Sequence, residues 1–388
     1  MKRIVFTEAD NRMKKEIKRE VIIKYLGAAL FCILGTIFLY KWNQIEKVTL
    51  VNTTAQSFDR AIVTEILADN LQENGSRVGN QEVKLRFLSG KNTGKEVEAV
   101  STNGNLYGAT CHVGTKVIAL TNETGDVSVT SVYSLDREWI LIGFCLIFCL
   151  AIAFVGGKNG IKAILGLAFT ILLIVYFFLP AIYRGISPIT AAILVVIITT
   201  VVTMLLLTGT TTKSIAAMIG TISGVVIAGI SAGVFGFMAK ISGYNVSDID
   251  SLIYVQQSTN VSVGGLLFAG ILISSLGAVM DVAMSISSAV HEFHQVNHTL
   301  TWKELYQSGM NVGKDMMGTM ANTLILAFVG GSLSTLVLNY AYNLSYTQMI
   351  NSYSIGIEVM QGVSGSMGIV LTVPLVSLVS SLLVKVKN

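Results

Sequence analysis

The sequence predicts an α-helical integral membrane protein of about eight transmembrane helices that carries one extracytoplasmic all-β domain. Three observations predict it. Of 388 residues, 52% are hydrophobic and 13% charged, a balance too apolar for an ordinary soluble chain. Eight apolar runs each approach the ~20 residues that cross ~30 Å of hydrocarbon as a helix. The one long stretch between them, residues 42–138, is polar and alternates as β-structure does.

The chain opens on a basic leader, residues 1–20, predicted to lie in the cytoplasm. Residues 1–24 carry eight Lys or Arg against four acidic residues. The first apolar run, Val21 to Tyr40, ends in Tyr40, Lys41 and Trp42 with no small-residue cleavage site. It therefore reads as an uncleaved anchor rather than a signal peptide. In residues 42–138, VKLRF (83–87) alternates with period two, as a half-buried strand does. TKVIALT (115–121) and VSVTSVY (127–133) flank NETGD, a loop with Asn and Gly where a hairpin needs them. About 97 residues of this kind suffice for a core, and the pattern predicts an OB-like β-barrel.

Seven further runs, 139–155, 161–180, 187–207, 214–239, 262–284, 317–338 and 363–384, make a seven-helix membrane domain over 139–388 with a cytoplasmic segment at 285–316. An even number of spans puts both termini on one side, and the positive-inside rule says which. With the N-terminus inside, cytoplasmic segments collect fifteen Lys or Arg: eight in residues 1–24, then Lys158, Lys162, Lys213, Lys303, Lys314, Lys385 and Lys387. The short outer loops have only Arg184 and Lys240. Both termini are thus expected in the cytoplasm. The net charge of +4 reflects this sorting by membrane side, so the partner it implies is membrane lipid and not nucleic acid. Three of the four cysteines (Cys32, Cys145 and Cys149) fall in apolar runs and only Cys111 in the β-domain, so no disulfide framework is available within that domain.

Asp281 is a lone carboxylate in a run that stays largely apolar from Val261 to Val290. That run is ~43 Å long at 1.5 Å per residue, so the helix either tilts or breaks near Gly277. A charge within a span costs a few kcal/mol and is by default a functional-site hypothesis. Asp281 reads either as a structural acid hydrogen-bonded to a neighbouring helix or as a binder of a proton or cation. On the next span, Asp315, Thr319 and Asn322 are spaced i, i+4, i+7 and form one polar stripe. Glu358 and Gln361 open the last span, ahead of glycines at 362, 365 and 368 and of Pro374, which favours a kink. These six residues are the candidate ion or substrate pathway. In the 214–239 run, Gly220 with Gly224 and Gly229 with Gly233 have GxxxG spacing, which serves close helix packing or a face along which helices slide.

HEFHQVNH (291–298) is not an HExxH motif. On a helix its three histidines share an arc of about 60°, and zinc ligation competes with a solvated cytoplasmic segment. Thr301-Trp302-Lys303-Glu304 reads as a capping box that opens a new helix, which favours the solvated segment, so no metal is predicted. No phosphate-cradling GxxxxGK[ST] is present, nor a nucleophile–base pair, so no enzyme activity and no cofactor are predicted.

LGAVMDVAMSISSAV, then SGMNVGKDMMGTMANTLILAFVGGSL, resembles the signature of the YibE/F-like membrane proteins. MQGVSGSMGIVLTVPL is similar to that family's last span, and GKEVEAV and VGTKVIAL resemble its external domain. The resemblance implies a bacterial multi-pass protein of the cell membrane with one external β-domain, treated as a permease. Asp281, Asp315, Asn322 and Glu358 fall on positions that look like the family's motif, whereas the three histidines do not. The resulting expectation is a permease or secondary transporter of an unknown small molecule or ion, coupled to a proton or cation through Asp281. The alternative is a membrane sensor or assembly factor whose β-domain binds an envelope protein or peptide.

Overall fold

A computed structural model describes residues 35, 40–45, 55–74, 77–102, 107–124, 127–246 and 248–386. The basic leader and all of the expected anchor except Gly35 and Tyr40 lie outside these residues. The chain divides into two compact units, one spanning Val48–Gly157 and the other comprising Met1–Lys47 and Lys158–Asn388.

The first unit contains five strands, β1 (Gln56–Ala68), β2 (Gln81–Phe87), β3 (Glu96–Ser101), β4 (Lys116–Thr124) and β5 (Val127–Leu135). They close into a barrel in the order β1-β2-β3-β5-β4. Every pair is antiparallel except β3 with β5, which run parallel at Val100↔Ser131 and Ser101↔Val132. The alternation expected of VKLRF is realised in β2, where Val83, Leu85 and Phe87 are buried and Glu82 and Arg86 exposed. Ala61, Val63, Ala99, Cys111, Val117, Ala119 and Val132 complete the core. Each large side chain buried there is worth about 1.5–3 kcal/mol, and closure leaves no sheet edge to aggregate. The chain then enters helix α1 (Glu138–Leu173). Arg60 on β1 pairs with Glu138 in its first turn and lies 3.8 Å from Asp136, which ties the helix start to the barrel.

The Cys111 thiol is fully buried, and burial pushes its pKa up against smaller opposing pulls from Ser101 and Arg77. Its thiolate is therefore scarce at neutral pH. Residues 45–136, expressed alone, are expected to give β-type circular dichroism and one cooperative melt, with Cys111 alkylated by N-ethylmaleimide at pH 7 only above the melting temperature. Rapid alkylation of the native fragment would contradict the closed core.

Among the described residues from Lys158 on, the second unit contains the remainder of α1, α2 (Leu179–Tyr183), α3 (Pro188–Thr208), α4 (Thr212–Ala239), α5 (Ile249–Ser258), α6 (Leu266–Val296), α7 (Trp302–Gly331), α8 (Leu333–Ala341), α9 (Tyr346–Ile350) and α10 (Tyr353–Val386). Among the described residues five helical stretches are long and apolar enough to cross a membrane, and α7 with α8 make a sixth if their 57° bend interrupts one span. Eight spans were expected, and the count differs for two reasons. The first expected span lies outside the described residues. The next two fall within a single 46-residue stretch, Glu138–Tyr183. Gly157 interrupts that stretch with φ 52 and ψ −131, a conformation open to glycine and strained for other residues.

Helix boundaries depart from expectation in three places. α6 neither breaks at Gly277 nor stops at 284 but runs unbroken to Val296, and the Ser287 hydroxyl donates to the Lys213 carbonyl at 2.8 Å. The segment expected as cytoplasmic, 285–316, is therefore helical except between Val296 and Trp302, where the Thr301–Glu304 capping box starts α7. The expected 317–338 span bends at Ser332, which has φ −94 and ψ 7 and follows two glycines that weaken the helix by about 1 kcal/mol each. Pro374 stays inside α10 without ending it.

α10 packs against α4, α6 and α7, and α6 packs also against α3 and α4. Their buried residues form one apolar core that includes Val225, Val279, Ile286, Ile369 and Val376.

Candidate functional site

α6 buries Ile271, Leu272, Leu276, Val279, Val282, Ala283 and Ile286 in that core. Its opposite face carries Gly270, Ser274, Gly277 and Asp281, all exposed. The spacing of four, three and four residues places them in one line along the helix. Asp281 makes no hydrogen bond or ion pair among the described residues.

The register between α6 and α7 follows from their close contacts. A side chain added at Gly309 would meet Val290, and one added at Gly313 would meet Ile286. Further along, Leu324 and Ser275 both border Gly365 of α10. In this antiparallel register Asp281 is level with Gly318, between Asp315 and Asn322. Asp315, Thr319 and Asn322 are all exposed, and the Thr319 carbonyl accepts a hydrogen bond from the Thr323 hydroxyl at 2.8 Å. The structure thus sets Asp281 and the α7 stripe at one height on two packed helices, with no direct bond between them among the described residues. Sequence reasoning missed Ser274 and Gly270, although their spacing to Asp281 was readable.

Glu358 and Gln361 sit apart from this level. Both are half-buried on α10. Glu358 lines a groove beside the bend between α7 and α8, with Ile325, Phe328, Ser332 and Leu336 on the other wall. The bend was not anticipated from the sequence, because Gly330-Gly331-Ser332 sits inside an apolar run.

The glycines of α4 do not all behave alike. Gly220, Gly224 and Gly229 pack against α6, the first two also against α10, so that an added side chain would collide with Val376, Val279 or Leu272. Gly233 has nothing within 4 Å of such a side chain and is exposed. Its place in the second GxxxG pair therefore serves no packing within the described residues.

The histidines are partly ordered by packing rather than solvated throughout. His294 is 5% exposed, and its ring meets that of His298 edge-on at 4.9 Å. Lys385 donates to the His298 carbonyl at 3.0 Å, and His291 lies 3.1 Å from Gln295. Among the described residues no group of three His, Cys, Asp or Glu could hold a metal ion.

The model of the family described as YibE/F-like protein matches residues 144–386. The match includes all six candidate pathway residues and leaves the barrel outside, so the resemblance noted for GKEVEAV and VGTKVIAL lies beyond it. No curated protein and no solved structure matches the chain.

Proposed function

Because the chain belongs to the YibE/F-like proteins, we propose that it is a multi-pass permease or secondary transporter of the bacterial cell membrane, with Asp281 carrying the coupling proton or cation. One observation supports this above the others. Asp281 stands without a partner on a stripe of small and polar residues, within a 34-residue stretch apolar enough to cross a membrane. A carboxylate kept there for stability would be hydrogen-bonded, since an unpaired one is costly in hydrocarbon. One that exchanges a proton or cation must instead be reachable. Asp315, Thr319 and Asn322, at the same level on α7, extend the polar surface along which the ion approaches. The protein carries out no covalent chemistry in this reading. Replacing Asp281 by Asn in a strain that depends on the protein tests it.

Both termini lie in the cytoplasm and residues 42–138 outside, on the lysine and arginine asymmetry counted above. In a variant lacking Cys32, Cys145 and Cys149, a cysteine at the exposed Lys91 is expected to react with a membrane-impermeant maleimide on intact cells. One at the exposed Gln307 is expected to react only after lysis. The opposite pattern would invert the whole arrangement.

The barrel supports a second reading, that of a sensor or assembly factor that binds an envelope protein or peptide. Its strand order is that of an OB-like barrel, a fold whose faces and loops bind extended polymers. Phe58, Tyr107 and Tyr133 cluster on its surface, with ring centroids 5.1 and 5.8 Å apart, and all three are exposed.

A further inference from the structure

We propose that the cavity where the α3–α4 turn meets the end of α6 binds a small zwitterion. Its ligand carries a carboxylate and a primary ammonium, the chemistry of a free amino acid or a short peptide. The cavity has a volume of about 440 Å³, and polar atoms form the larger part of its wall. Lys213 of α4 and Glu292 of α6 both line it, with Lys213 half-buried and Glu292 exposed. Neither side chain makes a hydrogen bond or ion pair among the described residues. Two opposite charges thus border one cavity without meeting, between helices that are held in place around them. The Ser287 hydroxyl of α6 donates to the Lys213 carbonyl at 2.8 Å, and Thr211 caps the start of α4 by accepting from the Ser214 N–H. The Lys162 ammonium of α1 donates to the Leu207 carbonyl of α3 at 3.3 Å.

The charges of the wall select the ligand. A pure anion would satisfy Lys213 and be repelled by Glu292, and a pure cation would do the reverse. A neutral solute would take water from the half-buried Lys213 and give it no partner, which costs free energy. A divalent metal ion would need about six oxygen ligands beside an ammonium that repels it. A zwitterion turns its carboxylate to Lys213 and its ammonium to Glu292, so that both ends form charge-assisted hydrogen bonds. Asn159 and Gln295 also line the cavity, and their amides offer donors and acceptors to a peptide group or a polar side chain. With the helices around it already tied by their own hydrogen bonds, little ordering is lost on binding. The α6 residues of the wall are Met284, His291, Glu292 and Gln295. They fall within an arc of about 100° of the helix, and Asp281 falls in the same arc. The cavity therefore lies at the end of the face of α6 that carries Asp281.

This site goes beyond the transport reading: it stands on different residues and is read by binding at equilibrium, so either can fail alone. The test uses the full chain in phosphatidylcholine nanodiscs, titrated calorimetrically at neutral pH with alanine and with alanylalanine. Each is measured beside its N-acetylated form, which lacks the ammonium, and its amide, which lacks the carboxylate. The tighter of the two zwitterions is expected to bind at least tenfold more tightly than either of its capped forms, and which one it is tells a free amino acid from a short peptide. Glu292→Gln should erase the penalty for N-acetylation and keep the penalty for amidation. Lys213→Gln should do the opposite. A merely structural role for either residue would weaken all the ligands alike. Glu292 is exposed, so Glu292→Gln decides the matter alone if Lys213→Gln does not fold. Absence of binding by both zwitterions, or equal affinity for a zwitterion and its capped forms, would overturn the proposal. So would penalties for capping that stay unchanged in Glu292→Gln.

Discussion

Asp281→Asn is expected to accumulate in the membrane as the wild type does and to fail to complement a deletion strain. The two halves of this expectation follow from the same geometry. Asp281 is exposed on α6 and has no partner among the described residues, so the amide breaks no bond on which the fold depends. Substitutions of that kind usually stay within about ±0.5 kcal/mol, and the amide removes a charge that costs ~2.5–3.5 kcal/mol at the centre of a span. Amount and thermal stability should therefore be unchanged or slightly higher. An amide, however, neither takes up a proton near neutral pH nor neutralises a cation. If coupling runs through this side chain, activity should fall to the level of the empty strain. The phenotype would first be found by screening the deletion across ions, amino acids and toxic peptides. Asp315→Asn should give a partial loss, because Asp315 lies on the cytoplasmic side of Asp281 in the proposed topology. Full complementation by Asp281→Asn at equal protein level would remove the coupling role and put the sensor reading ahead.

The parts of this molecule that were legible in the sequence are those with one dominant physical signal. β2 was legible because Val83, Leu85 and Phe87 alternate without interruption. β1 was not, although it pairs with two neighbours. Its register shifts between Val63 and Glu65 and again between Ile66 and Ala68, and each bulge moves the following side chains to the other face. Asp281 was legible as a charge in an apolar run, a property of composition. Whether it was satisfied depended on which way its face of α6 points, and that is set by α3, α4, α7 and α10 together. The bend at Ser332 was illegible because hydropathy averages over Gly330 and Gly331, and only the structure shows Glu358 of a later helix bordering the groove beside it. The same limit applied to the four glycines of α4, which spacing treated alike and packing separates.

That separation yields the largest stability effect expected in the protein. At Gly224 an added Cβ would lie 2.7 Å from Val279 Cγ1 of α6 and would collide with the Thr372 hydroxyl of α10. From the other side, a Cβ at Gly368 of α10 would lie 2.7 Å from the Gly224 carbonyl oxygen. The two backbones are thus nearly in contact, and neither neighbour can retreat freely. Val279 is fully buried, and the Thr372 hydroxyl is tied to the Gly368 carbonyl at 2.7 Å. Overpacking a closed core costs about 1–3 kcal/mol at a single contact, occasionally more, and here both contacts must yield at once. Gly224→Val is expected to lower the Tm of the detergent-solubilised chain by more than any other single change in α4, or to prevent its accumulation. Gly233→Ala is the matched control on the same helix. It meets no atom within 4 Å and replaces a poor helix former by the best one, a gain of up to about 1 kcal/mol, so its Tm should stay level or rise. Equal Tm values for Gly224→Val and the wild type would mean that α4 and α10 part more easily than this contact implies, as helices that slide past one another must. Static packing predicts the collapse, and the paired measurement decides between the two uses of these glycines.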